Sequence, residues 1–119
     1  MKISKDFEFA AAHRLVLPYK SQCEALHGHN YKLRITLTGG LNENGMIMDF
    51  KHLKAIVNQE VLSLLDHRDL SSFFRDENNS ILNPTAEIMS EWIYHKLCVL
   101  KQIHSVQLWE TSDSMAEYP

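Results

Sequence analysis

Two stretches of this chain alternate apolar and polar residues with a period of two, which commits much of the molecule to strands of a sheet solvated on one face. Tyr31, Leu33, Ile35 and Leu37 alternate with Lys32, Arg34, Thr36 and Thr38. Successive side chains of a strand point to opposite faces, so the first four share an apolar face and the second four meet water. Residues 27–39 therefore read as a strand. Residues 2–14 read as another, with Phe7, Phe9, Ala11 and His13 on one parity. Residues 15–26 contain Pro18 among mixed polar residues and read as a loop. Gly39-Gly40 and Asn42-Glu43-Asn44-Gly45 mark a turn, and Met46 to Met48 read as a short strand.

A helical period follows. Asp49 is placed to cap a helix over 50–65, in which Phe50, Leu53, Val57, Val61 and Leu64 form one apolar stripe. A polar connection carrying Phe73-Phe74 spans 68–83. Asn83-Pro84 reads as cap and first position of a helix over 84–101, with Ile88, Trp92, Leu97 and Leu100 on one side and Glu87 near its positive end. Residues 104–111 alternate again, Val106 and Leu108 opposite Gln107 and Trp109. Strand, strand, helix, helix, strand predicts an α+β layout, an antiparallel sheet with two helices on one face. The 119 residues fit one domain, 1–119.

Charge and hydropathy narrow the partners. Lys and Arg total 12 against 15 Asp and Glu, a formal net charge of -3, and the basic residues are scattered singly. That argues against nucleic acid as a partner, which selects a clustered basic face. No apolar run approaches the roughly 20 residues needed to span a membrane, and Met-Lys-Ile-Ser-Lys-Asp lacks the apolar stretch of a signal peptide. The reading is a cytoplasmic protein whose two cysteines, Cys23 and Cys98, are free thiols.

The chemistry concentrates in Cys23-x-x-x-His27-Gly28-His29. Two histidines two apart on a strand project from one face and can reach one ion. His13 ends the other strand on its buried parity and is the candidate third ligand. Three neutral imidazoles suit zinc and leave a fourth position open. Cys23 reads in two ways: as a fourth ligand closing a structural site, or as a catalytic thiol whose thiolate the metal favours. Asp66-His67 closes the first helix. A carboxylate beside an imidazole can orient it for proton transfer, but the plainer reading is a histidine at the negative end of a helix. Glu110, near the end of the last strand, reads as solvated surface, or in a pocket as an acceptor of two hydrogen bonds from an amidine-like ring edge. Thr85-Ala86-Glu87 reads as helix capping. His52, His95 and His104 have no companion at ligand spacing and read as solvated, and Cys98 as a partly buried helix residue.

Taken in order, Phe9-Ala-Ala-Ala-His13, Cys23-x3-His27-Gly-His29-Asn-Tyr31, Gly45-Met-Ile-Met-Asp49-Phe50, Leu65-Asp66-His67, Pro84-Thr-Ala-Glu87 and Glu110-Thr111 resemble the 6-pyruvoyl-tetrahydropterin synthase family over nearly the whole chain. The short length and the Cys23-to-His27 spacing are more similar to its bacterial 6-carboxy-tetrahydropterin synthase branch, which serves queuosine synthesis. Ser71 departs from the family, where Asn often follows the residue matching Leu70.

The resemblance implies the tunnelling fold, in which subunits join their sheets into a barrel as trimers that pair into hexamers. It implies a lyase acting on 7,8-dihydroneopterin triphosphate, with 6-carboxy-tetrahydropterin, acetaldehyde and triphosphate as products. It implies zinc on His13, His27 and His29, Cys23 as the proton-abstracting base, and Asp66 and His67 as a proton relay from a neighbouring subunit. Glu110 would anchor the pterin ring, with Thr85 and Ala86 beside it. The sister activity, forming 6-pyruvoyl-tetrahydropterin, would use the same residues. A zinc-stabilised interaction module would need only the Cys23, His13, His27 and His29 set.

Overall fold

The computed structural model describes residues 1–119. Its centre is a long hairpin. Strand β1 (Lys2–His13) pairs antiparallel with β2 (His27–Thr38) over the full length of both, from Lys2 opposite Thr38 to His13 opposite His27. The alternation sets the faces as the sequence predicts. Phe7, Phe9 and Ala11 of β1 and Tyr31, Leu33, Ile35 and Leu37 of β2 are buried in the main core. Strand β4 (Ile103–Thr111) pairs with β2 and adds Val106 and Leu108 to the same face.

Two further strands escape the sequence reading. Arg68–Asp69 forms a two-residue β3 parallel to β1, and Ser114–Tyr118 forms β5, antiparallel to β4. The order is β3-β1-β2-β4-β5, so the sheet is mixed rather than wholly antiparallel. β3 carries no alternation to read, because it is held by β1 alone: His67 N donates to Ala10 O and Leu70 N to Ala12 O. β5 is announced only by its turn, where Asp113 accepts from the hydroxyls of Thr111 and Ser114.

Helix α1 (Phe50–Val57) starts at the expected cap, Asp49, whose carboxylate accepts from Lys51 N at 2.8 Å. It runs on through a π turn (Asn58–Leu62) into a last turn (Ser63–Leu65). The wider turn changes the buried stripe. Leu53, Val57, Val61 and Leu65 are fully buried at a constant spacing of four, while Phe50 is exposed and Leu64 only half-buried. Met46 to Met48 form no strand.

Helix α2 (Ala86–Lys96), extended by a 3₁₀ turn (Leu97–Val99), is shorter than expected. Its cap is Thr85, which accepts from Ile88 N, and not Asn83. Met89, Ile93 and Leu97 carry its buried ridge, and Ile88 and Trp92 lie at the margin. Cys98 is exposed rather than partly buried, and both cysteines are free. His52 and His95 are exposed as expected, whereas His104 is half-buried. No helix is long and apolar enough to cross a membrane.

Candidate active site

Strand register assembles the histidines. His13 and His27 are cross-strand partners at the end of the hairpin, and His29 stands two residues further along the same face of β2. One ligating nitrogen from each lies within 4.8 Å of the others, and the three rings meet edge to face with centroids 4.6, 5.0 and 4.9 Å apart. His13 is buried, and the other two are half-buried.

The backbone fixes the tautomers of two of them. His13 Nδ1 lies 2.8 Å from the Pro84 carbonyl and His27 Nδ1 lies 2.7 Å from the Ala25 carbonyl. A carbonyl only accepts, so each Nδ1 carries the proton and each neutral ring turns a bare Nε2 lone pair inward. Those two Nε2 atoms are 3.0 Å apart. Two lone pairs at that distance repel unless a cation sits with them. His29 Nε2 is buried with no hydrogen-bond partner, which in a native interior calls for a reason. Burial holds His29 below its ordinary pKa against the opposing charge of Glu110, which favours the neutral ring that a ligand needs. Three inward nitrogens, two of them facing and one orphaned, fit a metal ion.

Glu110 reaches this cluster and is not solvated surface. Its Oε1 lies 3.4 Å from His13 Nε2 and 3.6 Å from His29 Nε2. Glu110 also lines a cleft of about 230 Å³ with Leu15, Thr85, Ala86, Glu87, Ser114 and Met115. The fold thus brings Glu110, Thr85 and Ala86 together at the start of α2, where helical N–H groups lack intrahelical partners. Asn83 closes the end of this region. Its side chain accepts from Val16 N at 2.9 Å and donates to Val16 O at 3.0 Å.

Asp66 and His67 lie against each other directly after the last turn of α1, so the histidine at the helix end also faces a carboxylate. His67 Nδ1 lies 2.9 Å from Asp66 Oδ1. Adjacent side chains meet here because His67 has a φ of 60°, a left-handed conformation uncommon outside glycine. β1 holds it there, since Ala10 N donates to Asp66 Oδ1 and Ala10 O accepts from His67 N. The imidazole is exposed. The pair lines a cleft of about 510 Å³ with Glu8, Phe9, Ala10, Asn30, Tyr31 and Lys32, four of them of the parity that points away from the helices. The dyad therefore opens on the sheet face opposite the one that carries the triad.

Cys23 sits in a 3₁₀ turn (Gln22–Glu24) capped by Ser21, and its carbonyl accepts from Leu15 N at 2.8 Å. That bond folds the loop back to within two residues of His13. The thiol is half-buried.

The family model of 6-pyruvoyl tetrahydropterin synthase matches residues 2–119. The chain belongs to the 6-pyruvoyl tetrahydropterin synthase family. It is 33% identical over 138 aligned positions to the 6-carboxy-5,6,7,8-tetrahydropterin synthase of Haemophilus influenzae, covering 98% of this chain and 97% of that one. To the enzyme of the same name from Synechocystis it is 34% identical over 123 positions, covering 98% and 91%. The structure of Caenorhabditis elegans 6-pyruvoyl tetrahydropterin synthase superposes with a TM-score of 0.84 at 26% identity, covering 99% of this chain and 94% of that one. The fold is that of the tetrahydropterin synthases, seen in one chain as an open sheet with β3 and β5 at its edges.

Some parts of this candidate site have no signature in the sequence. The carbonyls of Ala25 and Pro84 are backbone, present at every residue. Tyr31 reads as one more member of an apolar alternation, yet its hydroxyl lies 3.3 Å from His13 Nδ1.

Proposed function

We propose that the chain is a zinc-dependent lyase that converts 7,8-dihydroneopterin triphosphate to 6-carboxy-5,6,7,8-tetrahydropterin with release of acetaldehyde and triphosphate, one water being taken up. The observation that carries the reading is the convergence of three imidazole nitrogens beside the Glu110 cleft. The product is chosen on similarity along nearly the full length to relatives named as 6-carboxy synthases. His13, His27 and His29 would hold the metal, three neutral imidazoles being a donor set that suits zinc. Zinc, when bound, polarises side-chain oxygens of the substrate and favours loss of a proton beside them.

The chain's own residues do the rest. Glu110 accepts two hydrogen bonds from the N–H edge of the pterin ring, and Thr85 and Ala86 line the same cleft. Cys23, as thiolate, takes the proton. Asp66 orients His67, which relays protons to and from the substrate. Because the dyad and the triad lie on opposite faces of one sheet, the relay is completed by a neighbouring subunit in a homo-oligomer of trimeric or hexameric form. The open edge of β1 supports assembly, since β3 pairs only with Ala11 and Ala12 and leaves the rest of that edge free.

The test is mass analysis of the products formed from 7,8-dihydroneopterin triphosphate by zinc-loaded protein. 6-Carboxy-tetrahydropterin with acetaldehyde is expected. 6-Pyruvoyl-tetrahydropterin without acetaldehyde would assign the sister activity, and no turnover by metal-loaded oligomer would leave a zinc-stabilised module.

A further inference from the structure

Tyr31 stands between the hydrophobic core and the imidazole triad. It is 1% exposed. Its ring stacks on Phe9, its partner across the hairpin, with centroids 5.0 Å apart and planes at 12°. It meets the rings of His13 and His29 edge-on at 6.2 and 5.6 Å. Phenylalanine would serve that packing equally well, so the hydroxyl is the part that needs a reason. A hydroxyl withdrawn from water requires a partner, and the one hydrogen-bond partner of this hydroxyl is His13 Nδ1 at 3.3 Å.

That nitrogen donates first to the Pro84 carbonyl at 2.8 Å, which makes Tyr31 Oη a second, longer acceptor of the same proton. The two acceptors differ in where they come from. Pro84 lies in the loop before α2, whereas Tyr31 lies on β2, the strand that carries His27 and His29. The tyrosine ties the far nitrogen of the His13 ring, from β1, to the strand that supplies the other two nitrogens.

We propose that Tyr31 is a positioning residue of the metal centre, its hydroxyl setting the tilt of the His13 ring so that the three Nε2 atoms meet at one point. The inference rests on the triad's being a metal site and adds to it a residue outside the ligand set. A partner on the far nitrogen of a ligating imidazole fixes its orientation and raises its basicity, and losing one costs about 10- to 100-fold in metal affinity or activity.

The experiment compares the full-length chain with Tyr31→Phe, which keeps the ring, and Phe9→Leu, which disturbs the stack and keeps the hydroxyl. Zinc affinity is read by competition with a chromophoric chelator, and site geometry by the visible absorption of the cobalt(II)-loaded protein. Tyr31→Phe is expected to bind zinc about tenfold more weakly with shifted cobalt bands. Phe9→Leu is expected to melt lower with affinity and bands unchanged. Unaltered affinity and bands in Tyr31→Phe would overturn the assignment, and so would an equal loss in Phe9→Leu, which would give the effect to packing. A wild-type chain that binds no zinc would overturn the metal reading itself, a result distinct from either.

Discussion

Nε2 of His13 and Nε2 of His27 face each other at 3.0 Å while the Nδ1 atoms of both rings are bonded to backbone carbonyls. In neutral rings this sets lone pair against lone pair. The chain holds the contact because both rings are pinned elsewhere, His13 by the turn before α2 and His27 by the residue two before it. Such a site is preorganised: its nitrogens are aimed before any ion arrives, and a metal relieves a repulsion as well as forming bonds.

The first expected outcome follows from that preorganisation. About one zinc per chain should be found in wild-type protein, and His27→Ala or His29→Ala should lose it. Elemental analysis showing full zinc in His27→Ala would rule out the triad as the site. Chelation of the wild-type protein should lower its melting temperature, since binding to the folded state alone stabilises it.

The second concerns Cys23. Its loop is anchored through backbone atoms, with the Cys23 carbonyl held by Leu15 N and the Cys23 N–H by Ser21 Oγ. Replacing the thiol should leave that anchoring intact. Cys23→Ala should therefore abolish turnover while zinc content, melting temperature and oligomer mass stay near wild type. Loss of zinc together with activity would make the thiol a ligand instead of the base, because metal and fold are coupled at a closed site.

Subunit mixing supplies the third. Asp66 and His67 open onto the sheet face away from the triad, so a shared site requires a second chain. Inactive Cys23→Ala and inactive His67→Ala proteins, exchanged after verified dissociation, should recover part of the wild-type rate. No recovery, or a monomeric mass in light scattering, would show each site to be built within one chain.

Asp6 provides a test of stability against pH away from the active site. Arg34 grips its carboxylate with two bonds of 2.7 and 3.0 Å, and Lys32 approaches to 3.6 Å. The bond from Arg34 holds the Asp6 pKa below its ordinary value despite the opposing effect of burial. A carboxyl with a lowered folded-state pKa stabilises above its unfolded value and stops doing so as pH falls through the folded one. Asp6→Asn should therefore melt slightly below wild type near about pH 7, and the difference should close on acidification below about pH 4, the ordinary aspartate value. Salt should shrink it too, since the pair is exposed. A gap that persisted in acid would refute the assignment.

Whatever depends on neighbours along the chain was legible in the order of residues. A period of two placed Phe7, Phe9, Tyr31, Leu33 and Leu108 in the core and put His27 and His29 on one face, because alternation is a property of any extended strand. Asp49 capped α1 because its carboxylate needs only the N–H two residues on. The ordered motifs over almost the full length were likewise enough to reach the family. Tertiary structure decided what depends on distant segments. Register set His13 opposite His27. The Pro84 carbonyl, 71 residues along the chain, chose the tautomer of His13. Asp66 and His67 came within 2.9 Å of each other where Ala10, 56 residues away from Asp66, holds the turn and His67 takes a left-handed conformation. Backbone carbonyls and inter-strand register carry no side-chain signature, so the orientation of the site's groups, unlike their identity, exists only once the strands are paired.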